Sequence, residues 1–273
     1  MKKRFMKTFL CTLLALALTA GAACAAEPER KDFGVFLSET EDLFRLGNYG
    51  TVVIDAQYFT KEEIAAFREG GRQVYSYINI GSLEDFRDYY GEYKDLTLAP
   101  YENWDEEYWV NAADARWQSL MVDEVAPALL EKGIDGFFVD NCDVYYQFPT
   151  KEILDGLTVI MKALVATGKP VLINGGDTYL DAYCEAGGQW SDVITGINQE
   201  SVFSAILWDE NDFGTAEPED REYFTDYVER YAALGADIFL LEYTKDEALA
   251  EEIREYCGRM GFRYYISDSI ELD

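Results

Sequence analysis

The sequence predicts an α/β protein folded as a single (β/α)8 barrel. Three observations carry that expectation. Eight short runs rich in β-branched and aromatic residues recur along the chain. Most of the intervals between them carry helical periodicity, and the runs themselves are nearly continuously apolar, as expected of parallel strands covered on both faces. About 240 residues is also the usual length for eight strand–helix units closed into a barrel. An open doubly wound sheet is the alternative, but no G-x-G-x-x-G follows the first strand.

In chain order the expected strands are 33–37 (FGVFL), 51–55 (TVVID), 73–79 (QVYSYIN) and 135–140 (DGFFVD), then 170–174 (PVLIN), 192–198 (DVITGIN), 237–243 (DIFLLEY) and 262–267 (FRYYIS). Helical patterns fall at 61–69, 113–131, 151–166, 179–186, 219–234 and 246–260. The third of these places Ile153, Leu157, Ile160, Met161 and Leu164 along one face. Two irregular stretches interrupt the alternation, 81–110 after the third strand and 203–219 after the sixth. Loops of that length in a compact domain usually serve function.

Residues 1–25 read as a signal peptide. Lys2, Lys3, Arg4 and Lys7 precede an uncharged apolar run, and Ala23-Cys24-Ala25 supplies the small-x-small pattern before the cleavage point. A retained membrane anchor would need a longer run. A lipoprotein anchored through Cys24 lacks the leucine-like residue expected before the cysteine. The expectation is therefore a secreted or cell-envelope protein, residues 26–273 forming one catalytic-type domain with no stable membrane insertion after cleavage.

The chain has 273 residues, 52 acidic against 23 basic side chains, no histidine, and a net charge of -29. Loss of residues 1–25 removes four bases and no acid, taking the charge to -33. Without histidine there can be no Ser-His-Asp or Cys-His machinery and no histidine metal site. Acid–base work falls to carboxylates, tyrosines or lysines. Excess acid argues against nucleic acid as a partner, because phosphates need basic side chains, and favours neutral or cationic ligands. Cys142, Cys184 and Cys257 are too widely spaced for a disulfide framework or a metal site, although one pair could still form. The turn Asp209–Gly214 resembles a calcium loop, but Phe213 stands where an oxygen ligand is required, so a solvated acidic turn is the better reading. No cofactor or metal is expected.

Functional candidates come from position. The C-terminal ends of the expected strands carry Asp55, Asn79, Asp140 with Asp143, Asn174, Glu200, Glu242 and Asp268. In a closed (β/α)8 barrel these ends ring one mouth, where catalysis occurs. Paired carboxylates without histidine match glycoside hydrolysis. Aromatic residues near the same ends, including Tyr58, Tyr77, Trp104 and Trp109, offer faces on which sugar rings stack.

The segments VVIDAQYF, VYSYINIGSLEDFRDYY, KGIDGFFVDNCDVY, VLINGG and ITGINQES together resemble glycoside hydrolase family 114, over nearly the whole span from Phe33 to Asp268. The most specific piece is G-x-D-G-x-x-x-D-N-x-D, Gly133 to Asp143. The resemblance implies a (β/α)8 barrel that cleaves α-1,4-linked galactosamine-containing polysaccharide without a cofactor. By position it implies Asp140 as nucleophile and Glu200 as general acid/base of a retaining, endo-acting enzyme. Asp55, Tyr77, Asn79 and Asn174 are then candidates for gripping substrate, with Asp143 and Glu242 as further carboxylates able to bind substrate or replace either catalytic group. A different glycosidic linkage and a non-catalytic polysaccharide-binding barrel are the alternatives. Ser82, with Glu84 slightly later, departs from the family's acidic residue after Gly81 and points to an altered subsite.

Overall fold

The structure, a computed structural model, describes residues 31–273; the expected signal peptide lies outside them. Eight parallel strands form one sheet: β1 Lys31–Phe36, β2 Tyr49–Ile54, β3 Gln73–Asn79, β4 Gly136–Asp140, β5 Val171–Asn174, β6 Gly196–Glu200, β7 Asp237–Tyr243 and β8 Arg263–Ser267. Neighbours in the sheet follow chain order throughout, and β8 lies back beside β1, so the sheet nearly closes. The expected (β/α)8 barrel is the observed fold.

Alternation within each strand divides the core in two. Phe33, Val35, Val53, Tyr75, Tyr77, Phe138, Leu172, Phe239 and Leu241 point inward and fill the barrel, with Phe33 and Phe239 at 4.7 Å between ring centroids. Their neighbours Val52, Ile54, Val74, Ile78, Phe137, Val139, Ile173 and Leu240 point outward against the helices. The same parity decides which strand-end residues reach the mouth, since a step of one residue reverses the face.

The helices follow their sequence signals. Thr60 caps Lys61–Arg68 through a reciprocal box with Glu63, and Thr150 caps Lys151–Ala166. The latter helix buries all five of its expected apolar positions. It also passes so close to Ala112 that a Cβ at position 156 would collide with the Ala112 carbonyl, which only glycine avoids. The long helix after β3 departs from regularity: Ala115–Ser119 and Ala126–Lys132 are joined by a π-helical turn, Leu120–Val125. Pro127, which has no N–H and would press on the preceding turn, follows that widened turn.

Two expectations shift, the start of the sixth strand and the irregularity of the two long loops. β6 begins at Gly196 rather than 192, because Trp190–Asp192 forms a 3₁₀ turn whose continuation packs Val193 and Ile194 against the helices. Between β1 and β2 the connecting element is the single 3₁₀ turn Leu43–Leu46. The two long loops are also structured. Ser82–Glu84, Glu107–Val110 and Thr97–Pro100 form an antiparallel sheet, and Ser204–Leu207 pairs with Asp212–Thr215 as a hairpin. The latter contains the acidic turn Asp209–Gly214, and its Phe213 packs over Tyr243 at 5.8 Å. Cys142, Cys184 and Cys257 are free thiols. No helix among the described residues is long and apolar enough to cross a membrane.

Candidate active site

Asp140 ends β4, Asn174 ends β5 and Glu200 ends β6, so all three stand on adjacent strands with the same inward parity. Asn174 joins the other two. Its Nδ2 donates to Asp140 Oδ1 at 2.9 Å and to Glu200 Oε1 at 2.7 Å. Those two oxygens therefore lie no further apart than the sum of these lengths, 5.6 Å. Asn174 is itself oriented by Asn198, whose Nδ2 donates to Asn174 Oδ1 at 2.6 Å. That bond fixes the amide so that its NH2 group faces the carboxylates.

The chain leaves each of these residues sharply. Asn141, Gly175 and Ser201, the next residue in each case, all have left-handed φ values of 66°, 60° and 54°. Such a conformation is strained for a side chain like that of Ser201 and is kept only where the surroundings impose it. Here it turns the backbone away just above each functional side chain.

Burial raises both carboxyl groups. Burial pushes Asp140 up to about 6, opposed by the Asn174 hydrogen bond and reinforced by the nearby Glu200 charge. Burial also raises Glu200, against hydrogen bonds from Asn174 and from Tyr243, whose hydroxyl donates to Glu200 Oε2 at 2.7 Å. Desolvation is the condition that favours the protonated form of Glu200, and the two hydrogen bonds it accepts oppose it.

The pair lies in a cleft of about 1010 Å³. Ten carboxylates line it, against one cation, Arg87. Arg87 was not expected from the strand ends, because it is carried by the excursion after β3. It grips Glu84 through two bonds (2.6 and 2.9 Å) and Asp55 through a third (2.6 Å), so its charge is consumed locally. Glu107, also from that excursion, was missed for the same reason. Its Oε1 accepts from Asn79 Nδ2 at 2.7 Å, from Asn141 Nδ2 at 2.9 Å and from the Ser82 hydroxyl. The only available signal was the unusual density of aromatic and acidic residues in 81–110.

The other expected residues divide. Asp55, Tyr77 and Asp143 line the cleft. Asp55 is committed to Arg87 and to the Gln57 N–H, while Asp143, pushed up to about 7 by burial and by Asp177, stands beside Gly175. Asn79 is buried one layer down and holds Tyr77, Ser82 and Glu107. Glu242 is not brought to the cleft: it has the outward parity, is fully buried, and accepts from the backbone N–H groups of Val202, Phe203 and Ser204 and from the Ser204 hydroxyl. It anchors the loop after β6 instead. Asp268 is exposed and lies outside this cleft. Of the expected aromatics, Tyr58 and Trp104 are exposed on the rim, joined by Phe86 and Trp208. Trp104 and Trp208, from the two long loops, meet edge to face at 6.0 Å. Trp109 is buried in the outer core.

The sequence model of glycoside-hydrolase family GH114 matches residues 15–173, more than half of the chain. This protein belongs to family GH114. The matched segment includes Asp140 but stops before Glu200, which the barrel brings beside it. The glycoside hydrolase domain of PelA from Pseudomonas aeruginosa shares the fold, with a TM-score of 0.72 at 17% identity over 89% of this chain and 96% of that one. Aspergillus fumigatus Ega3, solved in complex with galactosamine, superposes with a TM-score of 0.69 at 17% identity over 90% and 93%. The α-galactosidase TtGalA from Thermus thermophilus is more distant, with a TM-score of 0.55 at 12% identity over 87% and 58%. No curated protein matches the chain. As a GH114 member the protein is a glycoside hydrolase, and its substrate class is polysaccharide.

Proposed function

We propose that this GH114 protein is a retaining, endo-acting hydrolase of α-1,4-linked galactosamine polymers, with Asp140 as nucleophile and Glu200 as general acid/base. The observation that carries the mechanism is the shared Asn174 amide. A retaining enzyme needs its carboxyl groups about 5–5.5 Å apart, whereas an inverting one needs about 6.5–9.5 Å to admit a water. The two oxygens that share the Asn174 donor lie at most 5.6 Å apart, below the inverting range, which supports the former. Glu200 gives its proton to the glycosidic oxygen while Asp140 attacks the anomeric carbon. Glu200 then takes a proton from the water that releases the glycosyl-enzyme. Asp140 must be ionised for attack, which its value of about 6 permits near neutrality.

The choice of sugar is supported by charge. A cleft with ten carboxylates and one committed cation favours a polycationic chain, and Ega3 was solved with galactosamine. A volume of about 1010 Å³ lies at the upper end of that of small-molecule pockets, leaving room for more than one sugar unit. Export, read from residues 1–25, would place the enzyme where such polymers are found.

The test is incubation with a panel of α-1,4 amino-sugar and neutral polysaccharides, reading products by mass and the first-formed anomer by NMR. The expected products are internal-cleavage oligomers retaining the α configuration. Asp140→Asn should lower turnover on the order of 10³-fold. A β anomer formed first would refute the retaining assignment, and cleavage confined to neutral chains would refute the substrate.

A further inference from the structure

Glu107 is a carboxylate whose two oxygens have different surroundings. Oε1 accepts three hydrogen bonds, all from neutral groups: the Asn79 and Asn141 amides and the Ser82 hydroxyl. Oε2 accepts from no described residue, and the side chain lines the cleft. The contrast with its strand partner Glu84 is informative. Glu84 pairs with Glu107 across the antiparallel ladder, yet it holds Arg87 in a bidentate ion pair that Asp55 completes. Glu107 is thus fixed in orientation, offers one free oxygen, and has no cation among the described residues. Burial and the charges of Glu84 and Asp140 push it up to about 7, so an arriving positive charge would relieve it.

Its position relative to the chemistry is equally specific. Asn141, which donates to Glu107, is the residue after Asp140. A group attached to C2 of a sugar is two bonds from the anomeric carbon that Asp140 would attack. Resting on the reading above, we propose that Glu107 is the counter-charge for a protonated amino group at C2 of the sugar facing Asp140. The role has a chemical purpose. The transition state gathers positive charge at the anomeric carbon, and an ammonium on the adjacent carbon opposes it. A fixed carboxylate on that ammonium offsets the repulsion without reorganisation at the moment of reaction.

Two oligomers serve as probes, α-1,4-linked galactosamine with free amines and its N-acetylated counterpart, with Glu152→Gln as a control that removes the same charge from an exposed side chain outside the cleft. In Glu107→Gln the ratio of kcat/KM for free-amine over acetylated substrate should fall by about 30-fold or more, the lower range for truncating one partner of a desolvated charge pair. In Glu152→Gln it should stay within about threefold, as for an exposed surface charge. Equal loss on both substrates in Glu107→Gln, or an equal fall in the control, overturns the proposal. Calorimetric binding of galactosamine and galactose makes the test independent of turnover: the wild type should prefer galactosamine and Glu107→Gln should lose that preference. A wild type that cleaves neither oligomer yet shows this pattern refutes the hydrolytic reading alone. A wild type without the preference, or a variant that keeps it, refutes the role of Glu107.

Discussion

Replacing Asn174 by alanine tests whether one amide organises both carboxylates. The substitution removes the donor shared by Asp140 and Glu200 and the acceptor for Asn198. Each hydrogen bond to a charged group contributes about 1.5–3 kcal/mol. Water entering the vacated space restores part of that, so a loss of about 2–4 kcal/mol in transition-state stabilisation is expected, a fall in kcat of about 30- to 1000-fold. Two unit charges at most 5.6 Å apart repel by about 3 kcal/mol or more at an effective dielectric of 20. Without the donor between them, both groups become harder to ionise. The Asn174 bond holds Asp140 down, so its removal raises Asp140 and moves the acidic limb of the pH–rate profile to higher pH, by about one unit. Stability falls as well, because the Asn198 amide loses its acceptor while its own Oδ1 already lacks a partner. At about 1–3 kcal/mol for the orphaned group, the melting temperature should drop by about 2–12 °C. The assay is a pH–rate profile of kcat at substrate saturation, with a thermal melt to confirm folding. A folded variant with kcat within threefold of wild type and an unmoved acidic limb would refute the reasoning.

Tyr243→Phe removes the hydroxyl that donates to Glu200 Oε2 and stabilises its ionised form, so Glu200 should rise and the alkaline limb of the same profile should move to higher pH; a downward move would contradict the acid assignment. Glu242→Ala should act on stability more than on chemistry, stranding buried N–H groups at 202–204 and costing about 3–5 kcal/mol, measured by denaturant unfolding; full stability with lost activity would return Glu242 to the site. Gly81→Ala places a Cβ against the Asn141 carbonyl, which is backbone and cannot swing aside. It should displace the turn after Asp140 and lower kcat about tenfold or more even where the variant remains folded, whereas wild-type kcat would show that turn to be dispensable.

The barrel and one half of its site were legible in one dimension. Strand and helix periodicities are local properties of five to fifteen residues, so hydrophobic pattern, Thr60 and Thr150 caps and strand number could all be read directly. Strand ends are also sequence features, which is why Asp140, Asn174 and Glu200 stood out once the strands were placed. Parity and long-range contact were not legible in the same way. Glu242 and Tyr243 are neighbours in sequence, yet the pleat sends one into the wall behind the loop after β6 and the other to Glu200. Reading strand ends without fixing the phase admitted Glu242 wrongly and overlooked Tyr243. Arg87 and Glu107 were hidden for a further reason: they lie in an excursion of about thirty residues whose antiparallel pairing carries them back over β3, and no local pattern encodes that return. The sequence by itself determined the fold class, the absence of histidine chemistry and the residues that close the strands. Tertiary structure alone decided which of those residues face one another, because hydrogen-bond partners and like-charge spacing depend on strands far apart in the chain being brought to a few ångströms at the barrel mouth.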